Sequence, residues 1–178
     1  DSEGEINYSG PRGYIQELDD IPSPFKLGLI DLDKLSSSLI AIETQRGCIL
    51  DCAFCNYQKG NRALRYFSLD RVKSDMELIL KHQPKTLYLM DPTFNSNKRR
   101  ARAILSYIIE NNSGGTTINA EMLPDVLTDE IIDMSVQAGF KTVEVGIQSL
   151  NPDAIKLMGR YRDEERLFKN NFFWIFFT

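Results

Sequence analysis

The sequence predicts an α/β fold with parallel strands, built as a partial (β/α) barrel of about four strand–helix units. Short apolar runs alternate with amphipathic helical stripes, an order that implies a parallel sheet with right-handed crossovers. A full eight-stranded barrel uses ~250 residues, about 31 per unit, so the roughly 130 residues from Ser38 to Lys169 hold about four units. The whole chain has 178 residues, 42% hydrophobic and 26% charged. A chain of that size buries about 70% of its unfolded surface and builds a core without staples. Four units do not close a barrel. The expectation is an open sheet or a truncated piece of a barrel.

Each element has its own signal. Residues 1–37 read as a linker or N-terminal extension, punctuated by Gly4, Gly10, Pro11, Gly13, Pro22 and Pro24. Within it, Ile21-Pro22-Ser23-Pro24-Phe25 is expected to be extended, because each Pro pushes its predecessor out of the helical region. The first strand, Ser38 to Thr44, runs straight into Gln45-Arg46-Gly47. Ser68 caps a helix whose stripe is Leu69, Val72, Met76, Ile79 and Leu80. The second strand, Thr86 to Met90, ends at Asp91-Pro92. The helix from Lys98 to Glu110 has Ala101, Ile104, Leu105 and Ile108 on one face, and Asn111, Asn112, Gly114 and Gly115 stop it.

The third strand is Thr116 to Glu121. Thr128 caps the third helix, with Asp129 and Glu130 in the first turn, where the helix dipole favours acids, and Gly139 ends it. The fourth strand is Thr142 to Ile147, and Asn151-Pro152 opens the fourth helix. The strands are mostly apolar, as expected where both faces are covered. The barrel domain thus spans 38–169, and 170–178 is an atypical aromatic tail. Its run from Phe172 to Phe177 is far short of the ~20 residues that span a bilayer. A truncated or frame-shifted end is the reading of that tail, with a buried strand as the other.

Lys and Arg number 21 against 25 Asp and Glu, a net charge of −4. Such a balance makes nucleic acid a poor partner. The cluster Lys98-Arg99-Arg100 with Arg102 reads as a solvated helix face, and Arg160 to Arg166, with Tyr161, as exposed helix or loop. No membrane partner is expected.

Chemistry concentrates at Cys48, Cys52 and Cys55, the three cysteines of the chain, spaced C-x3-C-x2-C. An oxidised scaffold spreads an even number of cysteines along its length, whereas a tight odd cluster fits a reducing compartment and a metal or redox role. A cytoplasmic location is the corresponding expectation. Three thiolates cannot saturate a four-iron cluster, which usually takes four. One iron would stay open, as catalytic zinc sites keep a position open for chemistry. Gly47 lets the backbone turn from strand into loop. Zinc with His82 as fourth ligand is the rival reading, although His82 follows Cys55 by 27 residues and reads as a solvated helix end. Idle buried thiols are the third.

Thr44-Gln45-Arg46-Gly47-Cys48, the spacing of the cysteines and the aromatic Phe54 before the third one resemble the radical S-adenosylmethionine (SAM) enzymes. The resemblance covers roughly Ser38 to Lys169. The stretch from Asp20 to Phe25 is similar to the linker that follows the cobalamin-binding domain in the B12-associated branch. The family implies a barrel of the radical SAM type in which Cys48, Cys52 and Cys55 ligate three irons of a [4Fe-4S] cluster and SAM chelates the fourth. One electron then cleaves SAM to methionine and a 5′-deoxyadenosyl radical. Cobalamin, if used, would come through a domain that is absent from this chain.

The resemblance also places residues around SAM. Asp91 stands where many members carry a Gly-Gly-Glu-like stretch meeting the SAM amino group, and the sequence departs from that stretch. Glu121 matches a ribose contact. Glu144-Val145-Gly146-Ile147-Gln148-Ser149 resembles the family's Glu-x-Gly-x-Gln-Ser stretch near SAM, which brings in Glu144, Gln148 and Ser149. Phe54 is expected near the adenine. The implied partners are an electron donor of the flavodoxin or ferredoxin type and an unidentified small-molecule or peptide substrate. The alternative is a non-catalytic iron–sulfur or zinc-binding module. A third possibility is that the chain as it stands does not fold and is inactive.

Overall fold

A computed structural model describes residues 13–57 and 63–160, together with Gly4, Ile6 and Gly10. The aromatic tail and the charged stretch beyond Arg160 lie outside the described residues. The chain runs β1 (Leu39–Ile42), β2 (Gln45–Arg46), β3 (Arg65–Tyr66), α1 (Leu69–Lys81), β4 (Thr86–Leu89), α2 (Lys98–Asn111), β5 (Thr117–Met122), α3 (Asp129–Ala138), β6 (Phe140–Val145) and α4 (Pro152–Leu157). Strands β1, β4, β5 and β6 form one parallel sheet in that order, so each helical crossover moves the chain one strand over. This is the open, four-unit partial barrel that the sequence predicts.

The helices start and stop where their end groups find partners. The Ser68 hydroxyl accepts the Arg71 N–H at 3.0 Å and opens α1. The Asn97 side chain does the same for Arg100 at α2, and Asn151 for Ala154 at α4, with Pro152 at the first helical position. Gly139, at φ +94°, closes α3 in the left-handed conformation. The predicted stripes are buried: Val72, Met76, Ile79 and Leu80 of α1, and Ala101, Ile104, Leu105 and Ile108 of α2. They pack on Leu87 and Leu89 of β4, Ile118, Ala120 and Met122 of β5, and Phe140 of β6.

Three features differ from the sequence reading. First, among the described residues the sheet has one covered face, not two. Alternate residues Tyr88, Asn119, Glu121, Thr142 and Glu144 point to the opposite, concave side and are only partly buried or exposed. An open half-barrel leaves that face to solvent or ligand, so it carries polar groups. Second, the first strand ends at Ile42, and Gln45–Arg46 instead pair antiparallel with Arg65–Tyr66. Third, the stretch read as linker is docked. Leu18 is 1% exposed. The Asp19 carboxylate accepts the Ser68 N–H at 2.9 Å. Ser23 donates to Asp75 at 2.7 Å, and Arg71 bridges Asp75 and the Ile21 carbonyl at 2.8 Å each. Ile21 is extended, as expected, but 24–28 fold into a turn closed by Leu29 N–H on the Pro24 carbonyl at 2.9 Å.

Candidate functional site

The carboxyl ends of β4, β5 and β6, together with the cysteine loop, line a cavity of about 510 Å³. That is the end at which α/β barrels carry their chemistry. Its wall includes Cys48, Cys52 and Cys55 on one side and Glu121 and Glu144 on the other. None of the three cysteines is in a disulfide, and each is partly buried.

Local backbone geometry holds the cysteine loop. The β2–β3 ladder closes its base. There Gly47 sits at φ +98°, and a Cβ on it would lie 2.5 Å from the Ala63 carbonyl oxygen. The outer part of the loop leans on the end of α4. The Ala53 N–H donates to the Met158 carbonyl at 2.8 Å, and Gly159 packs so closely on Asp51 that a Cβ would come within 2.8 Å of its oxygen.

Donors aim at the sulfurs. The Leu50 N–H lies 3.4 Å from Cys48 Sγ, the Tyr57 N–H 3.4 Å from Cys55 Sγ, and Arg160 Nη1 3.8 Å from Cys52 Sγ. Such contacts tune iron–sulfur centres. Burial pushes the Cys48 thiol up, the Leu50 amide pulls it back, and the neighbouring Cys52 and Cys55 add to the rise. Metal binding would have to displace that proton.

Three thiols on one loop at one cavity are a donor set that suits iron–sulfur ligation, which is by cysteine thiolates. His82 does not complete a zinc site. It caps the C-terminus of α1, beside the amino ends of the strands, and its Nδ1 lies 3.3 Å from Asp33.

The remaining predicted residues divide. Glu121 lines the cavity, and Tyr88 donates to its Oε1 at 2.9 Å. Burial, that hydrogen bond and the charges of Glu121 and Glu144 push the Tyr88 phenol up to about 12, so it stays a donor. Glu144 is directly opposite Glu121 in the β5–β6 register and lines the same wall. Phe54 is 53% exposed at the cavity, and Gln148, at φ +70°, also lines it. Ser149 does not line the cavity. Its hydroxyl accepts the Asn151 N–H at 3.1 Å in the turn before α4.

Asp91, expected at the SAM amino group, is buried, and both its oxygens accept hydrogen bonds from Thr44 and Gln45. Its neighbours Met90 and Pro92 reach the cavity instead. Burial pushes the Asp91 carboxyl up to about 6, against the lowering effect of those hydrogen bonds and of Arg100.

Arg160 is the residue that sequence reasoning missed. Its guanidinium lines the cavity, donates to the Gly146 carbonyl and approaches Cys52. It is the first residue after Gly159, whose φ of +66° terminates the α4 turn. That helix-stop glycine was the available signal.

A four-strand α/β half-barrel with a three-thiol loop at its carboxyl end defines the class, and comparison with known proteins gives the family. The chain belongs to the radical SAM superfamily, a family of enzymes, whose family model matches residues 42–170. It is 30% identical over 148 residues to the ribosomal protein uS12 methylthiotransferase RimO of Thermotoga maritima, covering 79% of this chain and 34% of that protein. It is 30% identical over 93 residues to the cobalamin-dependent radical SAM methyltransferase TokK of Streptomyces tokunonensis, covering 48% of this chain and 14% of that one. Among solved structures, the radical SAM methyltransferase TsrM of Kitasatospora setae, with cobalamin and a [4Fe-4S] cluster bound, shares the fold. There the TM-score is 0.63 and the identity 23%, over 75% of this chain and 27% of that one. The chain therefore spans about a third or less of the length of these relatives. Among the described residues no helix is long and apolar enough to cross a membrane.

Proposed function

We propose that this chain is the cluster- and SAM-binding part of a radical SAM enzyme, with Cys48, Cys52 and Cys55 as the protein ligands of a [4Fe-4S] cluster. The observation that carries the reading is that three thiols from one loop and two carboxylates from β5 and β6 face one cavity at the carboxyl ends of parallel strands. When bound, the cluster would be held by Cys48, Cys52 and Cys55 and would supply one electron for reductive cleavage of SAM.

The chain's own residues bind and orient. Glu121, held by Tyr88, is placed to accept hydroxyl groups such as those of the SAM ribose, because an ionised carboxylate is acceptor-only. Glu144 and Gln148 extend that polar wall, and Phe54 offers an aromatic face for the adenine. Arg160 brings a fixed positive charge to the Cys52 side. The relatives make methyl or methylthio transfer the first reaction class to test. Electrons would come from a flavodoxin- or ferredoxin-type donor, and cobalamin, if the reaction uses it, would bind outside residues 38–169.

The test is anaerobic cluster reconstitution followed by electron paramagnetic resonance with and without SAM. A [4Fe-4S] signal that changes on adding SAM is expected. In Cys48→Ala the cluster should be lost. In Glu121→Ala iron should remain while SAM affinity falls about ten-fold, as for loss of a hydrogen bond to a charged group. A signal indifferent to SAM, or iron content unchanged in Cys48→Ala, would sink the proposal.

A further inference from the structure

Asp91 is positioned to do something other than touch a ligand. Its Oδ1 accepts the N–H of Thr44 at 2.7 Å and that of Gln45 at 3.0 Å, and its Oδ2 accepts the Thr44 hydroxyl at 2.5 Å. The grip continues on both sides. Arg100 Nη2 donates to the Thr44 carbonyl at 2.8 Å, with its guanidinium stacked 4.9 Å from the centre of the Tyr66 ring. Gln45 Nε2 donates to the carbonyl and the hydroxyl of Thr93, each at 3.2 Å. Asp91, Thr44, Gln45 and Thr93 are all buried.

Two loops are joined at this point. One leaves β1 and reaches Cys48 three residues after Gln45. The other leaves β4 and puts Met90 and Pro92 into the cavity wall. Gln45 also pairs with Tyr66 in the ladder that closes the base of the cysteine loop. A shift at Thr44 and Gln45 would therefore move both ends of that loop against the wall that faces it. Burying a carboxylate is costly unless it is fully hydrogen-bonded, and here every bond goes to two consecutive residues of one loop.

We propose that Asp91 is the positioning residue of the cysteine loop: by locking Thr44 and Gln45 to the loop after β4, it sets where Cys48, Cys52 and Cys55 stand over the cavity, without itself meeting a ligand. The functional consequence rests on the radical SAM reading. The loop-locking does not.

The test compares Asp91→Ala, Asp91→Asn and Thr44→Val in the full chain. Asparagine keeps the shape, since its Oδ1 still accepts both amides and its NH₂ can donate to the Thr44 hydroxyl. In metal-free protein, amide hydrogen exchange across 43–57 is expected to speed up about ten-fold or more in Asp91→Ala, less in Thr44→Val, and little in Asp91→Asn. After reconstitution, Asp91→Ala should keep its iron, because all three thiols remain. Its resonance signal should respond to SAM only at concentrations about ten-fold higher, the low end of the effect of removing a residue that orients metal ligands. Asp91→Asn should respond as the wild type does.

Asp91→Asn as impaired as Asp91→Ala would show that the charge itself meets a ligand, which overturns the positioning role. Wild-type exchange in Asp91→Ala overturns it too. Should Asp91→Ala not fold, Thr44→Val decides, and unchanged exchange over 43–57 there overturns the proposal. A wild-type chain that takes up no cluster would remove the radical SAM reading alone, because exchange in the metal-free protein tests the lock independently.

Discussion

Gly47 shows how much can hang on one missing methyl group. Its φ of +98° is a conformation that side chains rarely adopt, and its absent Cβ makes room for the Ala63 backbone on the other arm of the cysteine loop. Gly47→Ala adds about 1–2 kcal/mol of left-handed strain to a backbone clash that no rotamer relieves. The expected outcome is a lower unfolding temperature together with reduced iron uptake, read by calorimetry and iron analysis. A variant with wild-type stability would mean the loop base is not closed as described. The cysteines were legible because their spacing is local. The role of Asp91 was not, because its partner Thr44 lies 47 positions away and only folding brings the two together. Arg160 was missed for the same reason: 108 positions separate it from Cys52.

At the level of elements, the helices were the most legible part. Their caps and stripes are set by neighbours within two turns, so Ser68, Thr128 and Asn151 could be read directly, and each side chain accepts the N–H expected of it. The segment before β1 was the least legible. Its prolines and glycines look like those of a solvated linker, yet Leu18 is buried in the main core and Asp19 covers the Ser68 amide at the start of α1. Leu18→Ala is expected to destabilise the fold by about 2–5 kcal/mol, the usual range for a fully buried leucine. Chemical denaturation measures it. A change below about 0.5 kcal/mol, as for an ordinary surface position, would return the segment to the status of a linker.

Across the whole molecule, the sheet has two outer strands, β1 and β6, and neither has a second partner strand among the described residues. Unpaired edges invite pairing with another chain. Leu39, at the start of β1, is 62% exposed and adds an apolar handle. The chain is therefore expected to self-associate as concentration rises, and Leu39→Lys to shift it toward monomer, in sedimentation velocity. An unchanged distribution in Leu39→Lys would show that the β1 edge is not the contact. The same openness explains the polar concave face. A sheet packed on both sides could not keep Glu121 and Glu144 in adjacent register, whereas one facing a cavity of about 510 Å³ can.

By itself, the sequence determined the strand–helix order, the helix ends and the three-thiol loop, because each depends on residues within a few positions of one another. From that order the parallel sheet follows through the handedness of its crossovers. Tertiary structure alone decided which side chains meet: that Tyr88 holds Glu121, that Arg160 approaches Cys52, and that Asp91 turns inward to Thr44 and Gln45. These are contacts between different strands and loops. Their geometry is fixed by register and by the packing of the helices on one face of the sheet, which no local pattern encodes.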